Sequence, residues 1–158
     1  MEQLPPASSS SLTILMLIAF IVPFVFYLLT LQKTLKAISP ENRRMSPSQV
    51  WILFIPLFGM FWHFIMVAKI ADSIKAESMI REIELKESRP GYLVGLAMCI
   101  LNCIGLFSEL LGLVALLSIV AFLICWIIYW VKIASYKKQI VNASLITLDA
   151  ETFLETKN

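Results

Sequence analysis

Residues 47–68 read PSQVWILFIPLFGMFWHFIMVA. The stretch is apolar enough to enter a bilayer, and its length is near the ~20 residues that a helical span requires. Pro56 and Gly59 interrupt it near the middle. Proline removes a backbone donor and clashes with the preceding turn, so one straight rod is disfavoured here. As α-helices the two arms, 47–55 and 60–69, would measure about 13 and 15 Å, each about half of a ~30 Å hydrocarbon core. The sequence therefore predicts a re-entrant helical hairpin turning at Pro56-Leu57-Phe58-Gly59. Its start is well marked: Ser46-Pro47-Ser48-Gln49 spells a capping box with proline at the first helical position. Met45 and Val50 are spaced as a hydrophobic staple.

The flanking charges give the same answer. The chain carries 13 Lys and Arg, and basic residues favour the cytoplasmic side of a membrane. Residues 12–31 form an apolar span with no basic residue before it and Lys33, Lys36, Arg43 and Arg44 after it, so it runs from outside to inside. Residues 91–107 follow Lys86 and Arg89 and run outward. Residues 112–134 return inside, toward Lys132, Lys137 and Lys138. The block between must then cross an even number of times, as a hairpin does. A straight fourth span is the alternative, and it strands four of the 13 basic residues on the opposite side.

The bulk composition agrees. Of 158 residues, 59% are hydrophobic and 15% charged, and mean hydropathy is +0.82. A soluble chain of this size could not hide so much apolar surface. A net charge of +2 argues against nucleic acid as a partner. The expected fold is all-α: an integral membrane bundle of three full spans plus the broken segment, forming one membrane domain over 12–134. A flexible tail is expected at 1–11, a charged cytoplasmic helix at 69–88, and a cytoplasmic tail at 135–158. The first apolar block lacks a basic n-region and is too long for a signal-peptide core, so no cleavage is expected.

Within the spans, small and polar residues stand out. Gly91, Gly95, Cys99 and Cys103 recur every four residues, a stripe that lets helix backbones approach closely. Leu28, Leu31, Leu35 and Ile38 define a core face continuing past the first span. Trp126, Tyr129 and Trp130 beside a cationic flank read as an interfacial belt. Asn102 is the most polar side chain at membrane depth and should face another helix. His63, the sole histidine, is expected to hydrogen-bond the broken backbone near Pro56 or to sit at the interface. Glu109 is the one acid of the last hairpin and is expected to be solvated at its outer tip. No catalytic motif, metal-ligand cluster or phosphate loop is spelled, so neither catalytic nor cofactor-binding residues are assigned. Arg43 and Arg44 are placed to contact anionic lipid headgroups.

These features imply a small non-enzymatic membrane protein that acts by helix packing and by association with itself or another membrane protein. The alternative is a homo-oligomeric channel or carrier lined by Asn102 or His63. Residues 31–77 hold a Ser39–Arg43 connector, Trp51, Ile55–Phe58, Trp62–Phe64 and an Ala71–Ile74 run. This stretch resembles a group of small multipass inner-membrane proteins of unknown function, seen chiefly in Bacteroidetes-type genomes. The resemblance implies a bacterial inner-membrane origin and a constrained Pro56 segment. Gly59 departs from the group, in which an asparagine is expected in the turn.

Overall fold

A computed structural model describes residues 7–55, 57–105, 112–155 and 157, with side chains except those of residues 7–10, 115, 150, 151, 154 and 155. Pro56 and Glu109 lie outside the described residues. The described residues are predominantly helical and include no strand. Helix α1 spans Ala7–Ala37, a 3₁₀ turn Pro40–Asn42, a 3₁₀ arm Pro47–Phe54, α2 Phe58–Ile80, α3 Tyr92–Gly105 and α4 Leu113–Glu155.

Two helices are long and apolar enough to cross a membrane: Ser11–Ala37, with mean hydropathy 2.7, and Leu116–Asp149, with 2.3. Their most apolar windows are only 11% and 17% buried, whereas a soluble core helix would be covered. The third expected span is shorter. The 14 residues of α3 extend about 21 Å, less than the ~30 Å core. Three full spans are therefore not established, and two helices of spanning length are.

The core occupies one half of the molecule. Leu28, Leu31, Leu35 and Ile38 are buried on α1 as their spacing requires, joined by Tyr27. Ile70 and Ile74 of α2 and Tyr129, Ile133 and Ile140 of α4 close around them. On the charged part of α2, Ile70 and Ile74 dock against the core, while Met79 and Ile80 remain exposed. Helices α3 and α4 pack antiparallel: Gly91 lies beside Ile133, Gly95 beside Tyr129 and Gly105 toward Ile119. The opposite halves of α1 and α4 stay bare, with Leu15 63% and Leu117 61% exposed.

Several boundaries differ from expectation. Helix α1 already begins at Ala7, inside the expected tail. The charged helix predicted to reach residue 88 ends at Ile80. There Glu82 adopts φ 54°, and the Ile83 N–H bonds back to the Ser78 carbonyl at 2.9 Å. This is a Schellman stop with glutamate in the position usually held by glycine. It keeps the Glu77–Arg81 pair and leaves Glu82 and Lys86 outside any helix. At the C-terminal end, α4 continues through the expected tail to Glu155.

Candidate functional site

The centre of interest is the interruption between the 3₁₀ arm and α2. The arm is sandwiched between α1 and α2, with Val50 and Met45 buried beneath it. Its entry is capped as the spelling requires, Gln49 Oε1 accepting the Ser46 N–H at 3.0 Å. Eight residues in 3₁₀ geometry rise about 16 Å, slightly more than the α-helical arm expected. The chain then reverses. Leu57 takes φ 60° and ψ −56°, a conformation strained for a side chain with a Cβ.

The arms can meet because Gly59 has no side chain. A Cβ there would lie 2.6 Å from the Leu53 carbonyl oxygen and 3.0 Å from its Cα. Three backbone N–H groups of the turn are satisfied locally. The Ile55 N–H bonds to the Ile52 carbonyl at 3.0 Å, the Gly59 N–H to Ile55 at 2.7 Å and the Met60 N–H to Leu57 at 3.2 Å. The Trp62 indole N–H bridges the arms by donating to the Gln49 carbonyl at 3.0 Å.

The tip reaches the level of Phe24, whose ring meets Phe54 edge-on at 5.4 Å. Phe24 and Ile38 are 14 positions apart, about 21 Å along the helix, and a further 20 Å or so of α1 continues beyond the tip to Ser11. The hairpin thus ascends half of α1 and returns to the end it left. Above the tip it leaves a cleft of about 770 Å³. Its walls include Phe20 and Phe24 of α1, Phe54 of the arm, and Phe122 and Trp126 of α4.

The two polar residues singled out within the apolar blocks, His63 and Asn102, both line this cleft. His63 is 7% exposed, and its Nε2 lies 3.0 Å from the Tyr27 hydroxyl. Among the described residues its hydrogen bond is to Tyr27 rather than to the broken backbone. Asn102 is half-buried at the wall, and its amide makes no hydrogen bond among the described residues. It shares the cleft with residues of α1, α2 and α4, but bonds to none of them among the described residues.

The small-residue stripe divides by role. Gly95 is the tight crossing: a Cβ would fall 2.5 Å from Val67 Cγ1 and 2.9 Å from Tyr129 Cε2. Cys99 is buried below it and Cys103 half-buried. Gly91 precedes α3 and carries φ +71°, so it serves the turn as well as lying against Ile133 and Tyr129 of α4. Near them, the expected aromatic belt folds inward. Trp126 and Trp130 pack edge-on to Tyr27 at 5.7 and 6.2 Å, and Tyr129 is fully buried. The Trp130 N–H donates to Thr30 Oγ1 at 2.9 Å, so this cluster joins α4 to α1.

At the other end of the hairpin lies a polar hub. Glu77 is 1% exposed. Its carboxylate accepts from the Ser39 N–H at 3.1 Å, Ser39 Oγ at 2.9 Å, Asn42 Nδ2 at 2.6 Å and Arg81 Nε at 2.6 Å. Burial alone raises its pKa, but the bonds from Asn42, Arg81 and Ser39 outweigh burial and hold the carboxyl below its ordinary 4.5. Ser73 Oγ accepts the Arg44 N–H at 2.8 Å, and Asp72 receives Arg89 through bonds of 3.0 and 2.9 Å. Glu87 binds Lys132 and the Gly91 N–H, which hold its carboxyl below the usual range. The i,i+4 spacing of Glu77 and Arg81 is visible in the sequence. That Glu77 fastens the Ser39–Asn42 connector to α2 needed the reversal to be known first.

Among the described residues, no group of three or more His, Cys, Asp or Glu is placed to hold a metal. No protein-family model, curated protein or solved structure matches the chain.

Proposed function

We propose that this chain is a non-enzymatic integral membrane protein that acts by association within the bilayer, and that its partner is a second copy of itself. The observation that carries the proposal is the Asn102 amide, which opens onto an apolar cleft and has no hydrogen-bond partner among the described residues. A bare amide in hydrocarbon costs several kcal/mol. A facing Asn102 on a two-fold-related copy would remove that cost reciprocally. The phenylalanine-rich walls favour this packing role over an aqueous pore, which would need a continuous polar lining.

The threading belongs to the same proposal. The hairpin dips into the membrane and leaves on the side it entered, α3 completes the outward passage, and the C-terminus is cytoplasmic. The resemblance of residues 31–77 adds a bacterial inner membrane. Support comes from the half-height tip and from the exposed apolar faces of α1 and α4.

The test is the mass of the protein in mild detergent, measured by light scattering over a range of detergent-to-protein ratios. Wild type is expected to be dimeric and Asn102→Leu to dissociate more readily. A transmembrane interhelical hydrogen bond contributes about 0.6–2 kcal/mol, so the dissociation constant should rise about 3- to 30-fold. A wild-type monomer at every ratio, or unaltered association of Asn102→Leu, refutes the proposal.

A further inference from the structure

Beside the base of the hairpin is a second concavity, of about 490 Å³, formed by the connector after α1, the start of the 3₁₀ arm and Lys69 of α2. Arg43, Arg44 and Lys69 line it together with Ser46 and Gln49, and no carboxylate does. The geometry points to a binding site for a phosphate-bearing anion, supplied by the headgroup of an anionic phospholipid.

Three observations carry this assignment. First, the cations are not neutralised by the protein. The Arg44 guanidinium and the Lys69 ammonium have no hydrogen-bond or ion-pair partner among the described residues. Asp72, one helical turn beyond Lys69, is taken by Arg89. Like charges crowded in one concavity repel, and an anion between them reverses the sign of that interaction. Second, the site is held in place. The Arg44 N–H is fixed to Ser73 Oγ at 2.8 Å, which leaves its side chain free while its backbone is anchored. Arg43 donates from Nε to the Ile38 carbonyl at 2.8 Å and from Nη2 to the Lys36 carbonyl at 3.0 Å. It thereby closes the C-terminal end of α1 and acts as a positioning residue. Third, the chemistry fits: a guanidinium and an ammonium are the usual pair for phosphate oxygens, and the Ser46 hydroxyl adds a neutral donor.

The choice of a lipid rests on the membrane reading above. In that threading the concavity sits where α1 and both hairpin arms emerge, at headgroup level, where basic pockets between helices take anionic lipid.

The experiment uses the full chain in mild detergent. Phosphatidylglycerol, phosphatidylcholine and inorganic phosphate are titrated separately, and bound adducts are counted by native mass spectrometry. Wild type is expected to take up phosphatidylglycerol at least tenfold more readily than phosphatidylcholine. The double variant Arg44→Gln/Lys69→Gln should lose that preference while keeping its tryptophan emission and melting temperature. The single variants provide the same readout if the double variant folds poorly. Equal phosphatidylglycerol uptake by wild type and variants overturns the site. Displacement of the lipid by an equal concentration of inorganic phosphate overturns the lipid assignment in favour of a soluble anion. Alkaline extraction of the chain from membranes would refute the membrane reading instead. A chain that resists extraction yet shows no lipid preference refutes the site alone.

Discussion

Replacing Gly59 with alanine places one methyl group where the two arms of the hairpin touch. The new Cβ would lie 2.6 Å from the Leu53 carbonyl oxygen, with the Leu53 carbonyl carbon and Cα both at 3.0 Å. All three are backbone atoms, so no rotamer change relieves the overlap and the arms must separate. Overpacking of this kind costs about 1–3 kcal/mol, and rigid neighbours place it toward the upper end. Alanine recovers about 0.5–1 kcal/mol by restricting the unfolded chain. The net expectation is a loss of about 1–2 kcal/mol, or a factor of about 5–30 in the folding equilibrium. Gly105→Ala is the internal control, because its nearest neighbour would be Ile119 Cγ1 at 4.0 Å; there only the gain remains. Denaturant titration in mild detergent, followed by tryptophan emission, measures both, and Trp62 reports on the hairpin through its bond to Gln49. If Gly59→Ala is as stable as Gly105→Ala, the arms do not meet at this glycine and the account of the reversal is wrong.

Two further predictions concern the polar end and the threading. Glu77→Ala should cost about 3–5 kcal/mol, because it leaves buried donors without their carboxylate. Because the folded pKa of Glu77 is depressed below 4.5, its contribution is complete above that value and disappears as pH falls through the folded pKa. Wild type should therefore lose stability on acidification in this range, and Glu77→Gln should flatten that part of the profile; identical acid profiles would remove Glu77 as the fastening. For topology, single cysteines at exposed Glu41 and Leu113 in a cysteine-free background should react differently with an impermeant thiol reagent added to intact cells, Leu113→Cys readily and Glu41→Cys not. Glu41 is a better reporter than Asn42, which is 9% exposed and bonded to Glu77. Ready labelling at 41 would exclude the re-entrant threading.

What the sequence disclosed is what local chemistry determines. A proline and a glycine inside an apolar run announce a break wherever they occur, and the break is present. The spacing of Leu28, Leu31, Leu35 and Ile38 named the buried face of α1, because helical periodicity acts within one element. Features that depend on a partner element were harder to see. Glu77 looked like one half of a surface pair, yet four donors from two segments converge on it. Trp126 and Trp130 have the composition of a membrane interface, and only the approach of Tyr27 draws them inward. The stop at Ile80 had no glycine to announce it. The length of α4 was missed because its continuous apolar run ends near residue 134, and the mixed stretch after it was read as a tail although its residues form helices well.

The asymmetry between the two ends of the bundle has a mechanical consequence. One end is riveted by carboxylate and guanidinium groups, while at the other the shafts of α1 and α4 share little but an unfilled wedge of space. Such a body bends most easily at its unriveted end, as tweezers do. In the membrane threading proposed above, the spacing of those shafts would therefore respond to the thickness and lateral pressure of the lipid before any other dimension of the molecule changed.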